Sequence, residues 1–157
     1  MSEKYPMTLL GKKMLDDELR QLTAVERPAV VKAIEWARSN GDLSENADYS
    51  AAKERQGFIE GRIQEINAKI AGAQVIDPKS IKSEKIVFGA TVKLTDTDKD
   101  EEVTYQIVGV DEADVKGGKI GVTSPIARAM IGKTIGDEVV VNAPKGKITY
   151  EVVEIEY

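Results

Sequence analysis

Three acidic residues lie close together in the stretch SNGDLSENADY, at Asp42, Glu45 and Asp48. Carboxylate oxygens suit a hard cation such as Mg²⁺, but one or two carboxylates leave its octahedral shell incomplete. The stretch therefore fits a metal that a second macromolecule helps to bind. A purely structural explanation is also open, in which Gly41 ends one helix, Asp42 caps the next and Glu45 completes a capping box.

The residue types in the chain restrict its chemistry. The 157 residues include no cysteine and no histidine, which excludes disulfides, thiolate zinc sites and nucleophiles activated by imidazole. The net charge of −5 argues against an independent binder of duplex nucleic acid. The N-terminus lacks the pattern of a signal peptide, and no apolar run approaches the length of a membrane span. We therefore expect a cytoplasmic protein with no membrane partner.

Apolar residues recur with helical spacing from Thr8 to about Ala73. The second predicted helix carries a coiled-coil seam, formed by Tyr49, Ala52, Gln56, Ile59, Ile63, Ile66, Ile70 and Ala73. The first carries a looser stripe, formed by Leu15, Leu19, Leu22, Val25, Ala29, Ala33 and Trp36. Pro28 interrupts that stripe and predicts a kink or break, with Pro28 in the first turn of a new helix. We expect an antiparallel hairpin over residues 1–76 with the acidic stretch 41–48 at its end.

Residues 77–157 have the pattern of a small antiparallel β domain, after a linker at 77–80. The predicted strands are Val87 to Leu94, Val103 to Val108, Lys119 to Thr123, Glu138 to Val141 and Ile148 to Ile155. Ser124 and Pro125 predict the cap and first turn of one short helix, which Gly132 ends. The fold class is therefore α+β.

Basic residues follow the acidic stretch on the second helix, at Lys53, Arg55 and Arg62. They could contact a polyanion that passes the hairpin, with salt-dependent affinity. Alternatively, they form a solvated face with ion-pair partners such as Glu54 and Glu60. We interpret Tyr49 as a packing residue of the seam, and Trp36 and Phe58 as structural.

Two stretches resemble known binding motifs but lack residues that those motifs require. The run from Asp96 to Asp100 resembles the start of an EF-hand loop, but Glu101 and Ile107 stand where glycine and glutamate are required. We interpret it as a solvated hairpin turn. The stretch Gly132-Lys133-Thr134 resembles the end of a phosphate-binding loop, but it follows a helix and lacks the first glycine.

The sequence resembles the Gre family of bacterial transcript-cleavage factors over nearly its whole length. The resemblance lies in the stretches PMTL at 6–9, RP at 27–28, GDLSENADY at 41–49, AAKE at 51–54, GRI at 61–63, VID at 75–77, FGATV at 88–92, IVG at 107–109, DEAD at 111–114, SPIARA at 124–129 and IGK at 131–133. Such a dense and ordered set of matches is highly specific.

The resemblance implies a coiled coil that enters the secondary channel of RNA polymerase and an FKBP-like domain that docks at the channel rim. It implies an accessory factor, expected to be a monomer, that stimulates the polymerase's own hydrolysis of backtracked RNA. Asp42 and Glu45 would help to hold a catalytic Mg²⁺ shared with the polymerase and orient the attacking water. Lys53, Arg55 and Arg62 would contact the nascent RNA 3′ end. Asp48 and Ser44 differ from frequent family residues, glutamate and lysine, and their roles stay open.

Three other functions compete with this interpretation. A homologous inhibitor would enter the same channel without promoting cleavage, although Asp42 and Glu45 follow the cleavage-competent pattern. A peptidyl-prolyl isomerase is suggested only by the FKBP-like fold, and the domain offers few aromatic residues for a proline pocket, namely Phe88, Tyr105, Tyr150 and Tyr157. A structural coiled-coil adaptor would need the tip acids for stability alone.

Overall fold

The chain forms two compact units in the computed structural model, which describes residues 4–42 and 45–157. Lys12–Ala73 belong to a helical unit, whereas Tyr5–Gly11 and Gln74–Tyr157 together form a sheet unit. The division predicted from the sequence, 1–76 and 77–157, instead keeps the N-terminal residues with the helices. The chain thus starts its first strand and first helical turn in the sheet unit before it enters the helical one.

The helical unit is the predicted antiparallel hairpin. One arm contains α1 (Leu9–Gln21), a π-helical segment (Leu22–Glu26) and α2 (Arg27–Ser39), and the other is α3 (Ala47–Ala71). Ion pairs join Glu18 to Arg62 and Glu26 to Arg55, which shows that the two arms run antiparallel. The predicted seam is confirmed, because α3 buries Ala52, Ile59, Ile63 and Ile66. No helix of the described residues is long and apolar enough to cross a membrane.

The first arm changes phase at the π-helical segment. Pro28 is the second residue of α2, in a first helical turn as predicted, and the backbone stays right-handed helical where a kink or break was expected, with the α-helical period interrupted by the π-helical segment. A π turn accommodates one more residue than an α turn, so each apolar position after it moves along by one. The predicted stripe beyond Leu22 is therefore wrong, since it assumes an uninterrupted α-helical period. Its exposed members are Val25, Ala29, Ala33 and Trp36, and the buried residues that replace them at this interface include Val30 and Ala37.

The sheet unit contains a two-stranded and a five-stranded sheet. β1 (Tyr5–Thr8) pairs with β2 (Ala73–Ile76). The larger sheet has the order β5-β4-β3-β7-β6, with strands β3 (Thr91–Asp96), β4 (Glu101–Val108), β5 (Lys119–Gly121), β6 (Glu138–Ala143) and β7 (Gly146–Glu156). Its pairs are antiparallel except that β4 and β5 run parallel. The predicted small sheet is thus present, with one parallel edge.

The short helix α4 (Pro125–Met130) begins and ends as the sequence predicts. The Ser124 side chain accepts a hydrogen bond from the Ala127 amide at 3.3 Å, and Gly132 follows the helix with φ +90°. The hydrophobic core comprises buried residues of the sheet, α4 and neighbouring segments, including Ile86, Val92, Leu94, Ile107, Met130, Val139 and Val152. This core joins the sheet to α4.

The first strand of the large sheet starts later than predicted. The backbone turns where the Ala90 amide bonds to the Val87 carbonyl, and Gly89 has φ +92° there, so β3 begins only at Thr91. The predicted hairpin turn after β3 is confirmed. The Asp96 carboxylate accepts hydrogen bonds from the amides of Asp98 and Lys99 at 2.9 and 3.2 Å, which uses it to close the turn.

A buried carboxylate attaches the N-terminal segment to the sheet unit. Glu112 lies in a 3₁₀ turn (Val110–Glu112) and accepts hydrogen bonds from the amides of Thr8 and Gly109, at 3.1 and 3.2 Å, and from the Thr8 hydroxyl. A Cβ atom at Gly11 would overlap the Glu112 carboxyl group, so this helical position requires glycine. The first turn of α1 is thereby held against the sheet.

Candidate functional site

The turn of the hairpin is closed by Asn46. Its side-chain oxygen accepts a hydrogen bond from the Tyr49 amide at 3.0 Å and so caps α3, while its side-chain nitrogen donates to the Ala37 carbonyl at 2.6 Å. On the opposite side, α2 ends at Ser39 with Asn40 as its C-cap, and Gly41 follows with φ +124°. The Asn46 side-chain amide therefore links the last turn of α2 to the first turn of α3.

Asp42 and Glu45 are both exposed at this turn. The prediction that Asp42 caps α3 with Glu45 in a capping box is wrong, because α3 starts at Ala47 and its cap is Asn46. Asp42 and Asn46 are both of residue types that favour the cap position, and in the structure Asn46 occupies it. Helix capping thus does not explain the two acids that the sequence identifies as site residues.

The third acid, Asp48, is exposed in the first turn of α3. A carboxylate there interacts favourably with the positive end of the helix dipole. Ser44, whose role the sequence leaves open, lies outside the described residues. The acidic character of the tip therefore extends into the helix beyond the cap.

Asp42 and Glu45 could supply some of the ligands of a cation. Within residues 4–42 and 45–157, no group of three or more acidic side chains is arranged to hold a metal ion. Two exposed carboxylates would leave most of an Mg²⁺ shell to other ligands, such as water, phosphate or a partner's side chains. Donors of this type on an exposed turn match that requirement.

Arg62 is held in a structural network between the arms. Its Nε and Nη2 atoms donate to the two Glu18 oxygens at 2.6 and 2.7 Å, and Nη1 donates to Glu65 at 3.0 Å. The hydrogen bonds from Arg62 lower the pKa of Glu18 below its usual value. Nearer the tip, Arg27 and Glu60 form a second two-pronged pair, and this bonding raises the Arg27 pKa. These pairs lock the register of the hairpin.

The two basic residues closer to the tip are less constrained. The Arg55 side chain is 65% exposed and meets Glu26 at 3.4 Å, a long contact for a guanidinium and a carboxylate. Lys53 is exposed and donates to Gln56 at 3.1 Å. Of the three predicted RNA-contacting residues, these two therefore present their charge to solvent.

Two aromatic residues of the hairpin are not part of its core. Trp36 is 60% exposed and Phe58 is 82% exposed, so the interpretation of both as structural residues is wrong. Trp36 leaves the interface through the phase shift of the first arm, and Phe58 lies outside the seam that Ala52, Ile59 and Ile63 define. Tyr49 is half-buried, as a seam residue should be.

The sheet unit has an open apolar pocket of about 380 Å³ beside β5 and α4. Its lining includes Tyr105, Val110, Val115, Ile120 and Ile126. Val110 and Val115 are 49% and 69% exposed, although both are apolar. Of the four aromatic residues considered for a proline pocket, Tyr105 is the one that lines this cavity, which gives little support to isomerase chemistry.

The structural roles of Asn46 and Glu112 are not among the sequence predictions. Asn46 could have been found, since asparagine is among the best N-cap residues and an acid follows in the next turn. Glu112 carried no such local signal, because its partner Thr8 is 104 residues away. The exposure of Phe58 follows from the seam, which skips position 58.

The comparisons with known proteins agree across nearly the whole chain. Residues 5–75 match the family model described as "Transcription elongation factor, N-terminal", and residues 81–157 match "Transcription elongation factor, GreA/GreB, C-term". Transcription elongation factor GreA of Phenylobacterium zucineum is 61% identical over 155 residues, which cover 99% of each chain. The protein of the same name from Syntrophotalea carbinolica is 60% identical over 157 residues, covering 100% of this chain and 99% of that one.

Solved structures show a similar chain at lower identity. GreA factor homolog 1 of Thermus thermophilus is 25% identical, with a TM-score of 0.45 over 99% of this chain and 100% of that one. A GreA/GreB factor from Nitrosomonas europaea is 22% identical, with a TM-score of 0.44 over 98% and 100%. The two family models and the full-length relatives decide the assignment. The chain belongs to the GreA/GreB family of transcription elongation factors.

Proposed function

We propose that this elongation factor binds RNA polymerase, inserts its helical hairpin into the secondary channel and stimulates cleavage of backtracked RNA. The observation that carries the proposal is the tip, where Asp42 and Glu45 are exposed and neither is the cap of α3. Carboxylates at an exposed turn can bind a catalytic Mg²⁺ if another molecule supplies the remaining ligands of the ion. Bacterial RNA polymerase acts in the cytoplasm, where we place this factor as a monomer.

The tip residues would complete the polymerase active site in trans. Asp42 and Glu45 would help to hold a Mg²⁺ ion shared with the polymerase and would orient the attacking water. When bound, this Mg²⁺ stabilises charge on the attacking or leaving oxygen of the phosphodiester. The acids need no histidine for this role, because they act as ligands and hydrogen-bond acceptors. The chain therefore donates groups to a catalyst and is not itself an enzyme.

The arm residues would guide the extruded RNA. Lys53 and Arg55 present their charges to solvent on α3, so they can approach a phosphate without breaking a tight ion pair. Arg62 would first have to leave Glu18, with which it makes two short hydrogen bonds. We therefore assign the RNA contact chiefly to Lys53 and Arg55, and a supporting structural role to Arg62.

The sheet unit would provide the docking surface. Its apolar pocket exposes Val110 and Val115, and an exposed apolar concavity of this type is characteristic of a protein contact. We assign this pocket to the rim of the polymerase channel. The inhibitor and isomerase functions are not favoured, because the full-length relatives are named transcription elongation factor GreA.

The test measures RNA cleavage in backtracked complexes of bacterial RNA polymerase with Mg²⁺, together with factor binding. The wild-type protein should stimulate cleavage, and Asp42→Asn/Glu45→Gln should bind normally but lose at least about 100-fold of the stimulation. Val115→Glu is the matched docking variant and should lose stimulation together with binding. Wild-type protein that binds without stimulating cleavage would contradict the proposal and favour the inhibitor.

A further inference from the structure

Phe58 presents an aromatic ring to solvent on α3, beside the buried seam of the hairpin. Its side chain is 82% exposed, whereas the neighbouring Ile59 is 4% exposed. Ala51, Arg55 and Arg62 lie on the same face, separated from Phe58 by seven, three and four residues. A single exposed apolar residue needs no explanation, but this one borders a cavity.

The cavity is an open groove of about 610 Å³ between α3 and the first arm. Leu22, at the start of the π-helical segment, forms its opposite wall, and Ala51 and Ile59 contribute further apolar surface. The volume lies within the range of about 300–1,000 Å³ that small-molecule sites occupy. Phe58 therefore forms one side of a space that can accept a flat ring.

Some charged side chains around the groove are paired tightly with each other, and one is paired only weakly. Glu18 and Arg62 neutralise one another, and Glu26 makes its long 3.4 Å contact with Arg55. Glu54 also lines the groove, so attraction for an anion comes from the Arg55 guanidinium alone and not from the net charge of the lining. Arg55, with its side chain 65% exposed, lies one helical turn from Phe58 on the side of the tip.

We propose that Phe58 is a stacking platform for a base of the extruded RNA strand, with Arg55 bound to an adjoining phosphate. This inference rests on the proposed function, since it requires the RNA to pass along the hairpin. Exposed aromatic rings bind the bases of single strands with little sequence preference, because every base has a π face. Such tolerance suits a factor that must act on any transcript.

The position of Phe58 on α3 makes the proposal depend on RNA length. Phe58 is eleven residues from Ala47, the first residue of α3, which corresponds to about 16 Å at the α-helical rise of about 1.5 Å per residue. A stacked strand covers this distance with about five nucleotides at about 3.4 Å each. An RNA extruded by about two nucleotides would end before Phe58, whereas one extruded by about eight would pass it.

The experiment compares cleavage in polymerase complexes backtracked by about two and about eight nucleotides, at saturating factor. Phe58→Ala should slow cleavage by about 5-fold or more in the deeply backtracked complex and by less than about 2-fold in the other. Phe58→Trp should retain the wild-type rate in both. Trp36→Ala, which removes an exposed aromatic ring from α2, is the matched control and should show no dependence on length.

Each other outcome overturns the stacking site. An equal loss at both lengths, accompanied by weaker binding of the factor to polymerase, would make Phe58 a contact with the protein wall of the channel. No loss at either length would leave the ring without a role in cleavage. Failure of the wild-type factor to stimulate either complex would instead reject the proposed function, and the stacking site with it.

Discussion

The carboxylates at the two ends of the first arm have opposite environments. Glu112 is buried and accepts hydrogen bonds from two backbone amides and one hydroxyl, so these hydrogen bonds hold the start of α1 in the sheet unit. Asp42 and Glu45 are exposed at the far end of the hairpin, where Asn46 provides the helix cap. A carboxylate thus attaches one segment to another at Glu112, whereas the carboxylates of Asp42 and Glu45 are exposed to solvent.

This difference teaches how to separate structural acids from candidate catalytic ones. A buried carboxylate must be matched by donors within the fold, and its removal leaves those donors unsatisfied. An exposed carboxylate whose position is capped by a neighbour can be changed with little loss of stability, so an activity defect there reports on chemistry. The comparison can be tested by measuring stability at each place.

Replacement of Glu112 should give the largest loss of stability. Glu112→Ala leaves the amides of Thr8 and Gly109 without their acceptor in a buried position, which should lower the free energy of unfolding by about 2–4 kcal/mol. Chemical denaturation monitored by circular dichroism measures this loss. Asp114→Ala removes an exposed acid from the same segment and should stay within about 0.5 kcal/mol. Equal effects of the two variants would contradict the role of Glu112 in attachment.

Periodicity predicted the elements of the fold but not the phase of the first arm. The seam of α3 was readable because Ile59, Ile63 and Ile66 follow an uninterrupted coiled-coil spacing. Pro28 marked the place where the α-helical period of the other arm is interrupted. It did not reveal that the arm stays helical through a π turn, which moves burial from Trp36 to Ala37. Local sequence sets the period of a helix, whereas the partner helix selects its phase.

The candidate site was predictable where residue type alone indicates chemistry. Asp42 and Glu45 could be chosen from their acidity and spacing, yet the cap between α2 and α3 depends on a bond from Asn46 to Ala37, nine residues away. The groove beside Phe58 depends on the π-helical segment as well as on α3. The cap and the groove both depend on how the two arms align, and the pattern of one sequence does not predict that alignment.

Replacement of Asn46 should have an intermediate effect and sharpen the contrast at the tip. Asn46→Ala removes both the cap of α3 and the link to α2, and should cost about 1 kcal/mol of stability. Hydrogen exchange of the Tyr49 amide should accelerate, because that amide loses its acceptor. Asp42→Asn/Glu45→Gln is the matched control and should leave Tyr49 protected. If the control exposes Tyr49 as much as Asn46→Ala does, the acids stabilise the helix after all.

The smallest effect is expected at Glu18, between the two ends of the arm. Hydrogen bonding to Arg62 lowers the Glu18 pKa in the folded protein, so the stabilising contribution of the charge is present at neutral pH and is lost as pH falls through that lowered value. Because the Glu18 side chain is 39% exposed, Glu18→Gln should cost less than about 1 kcal/mol at pH 7. Denaturation of both proteins from pH 7 to pH 3 should show the difference shrinking towards acid pH, with Glu35→Gln as the control for removing an exposed acid from the same arm. A difference that grows as the pH falls would mean that the ionised Glu18 carboxylate does not stabilise the hairpin through Arg62.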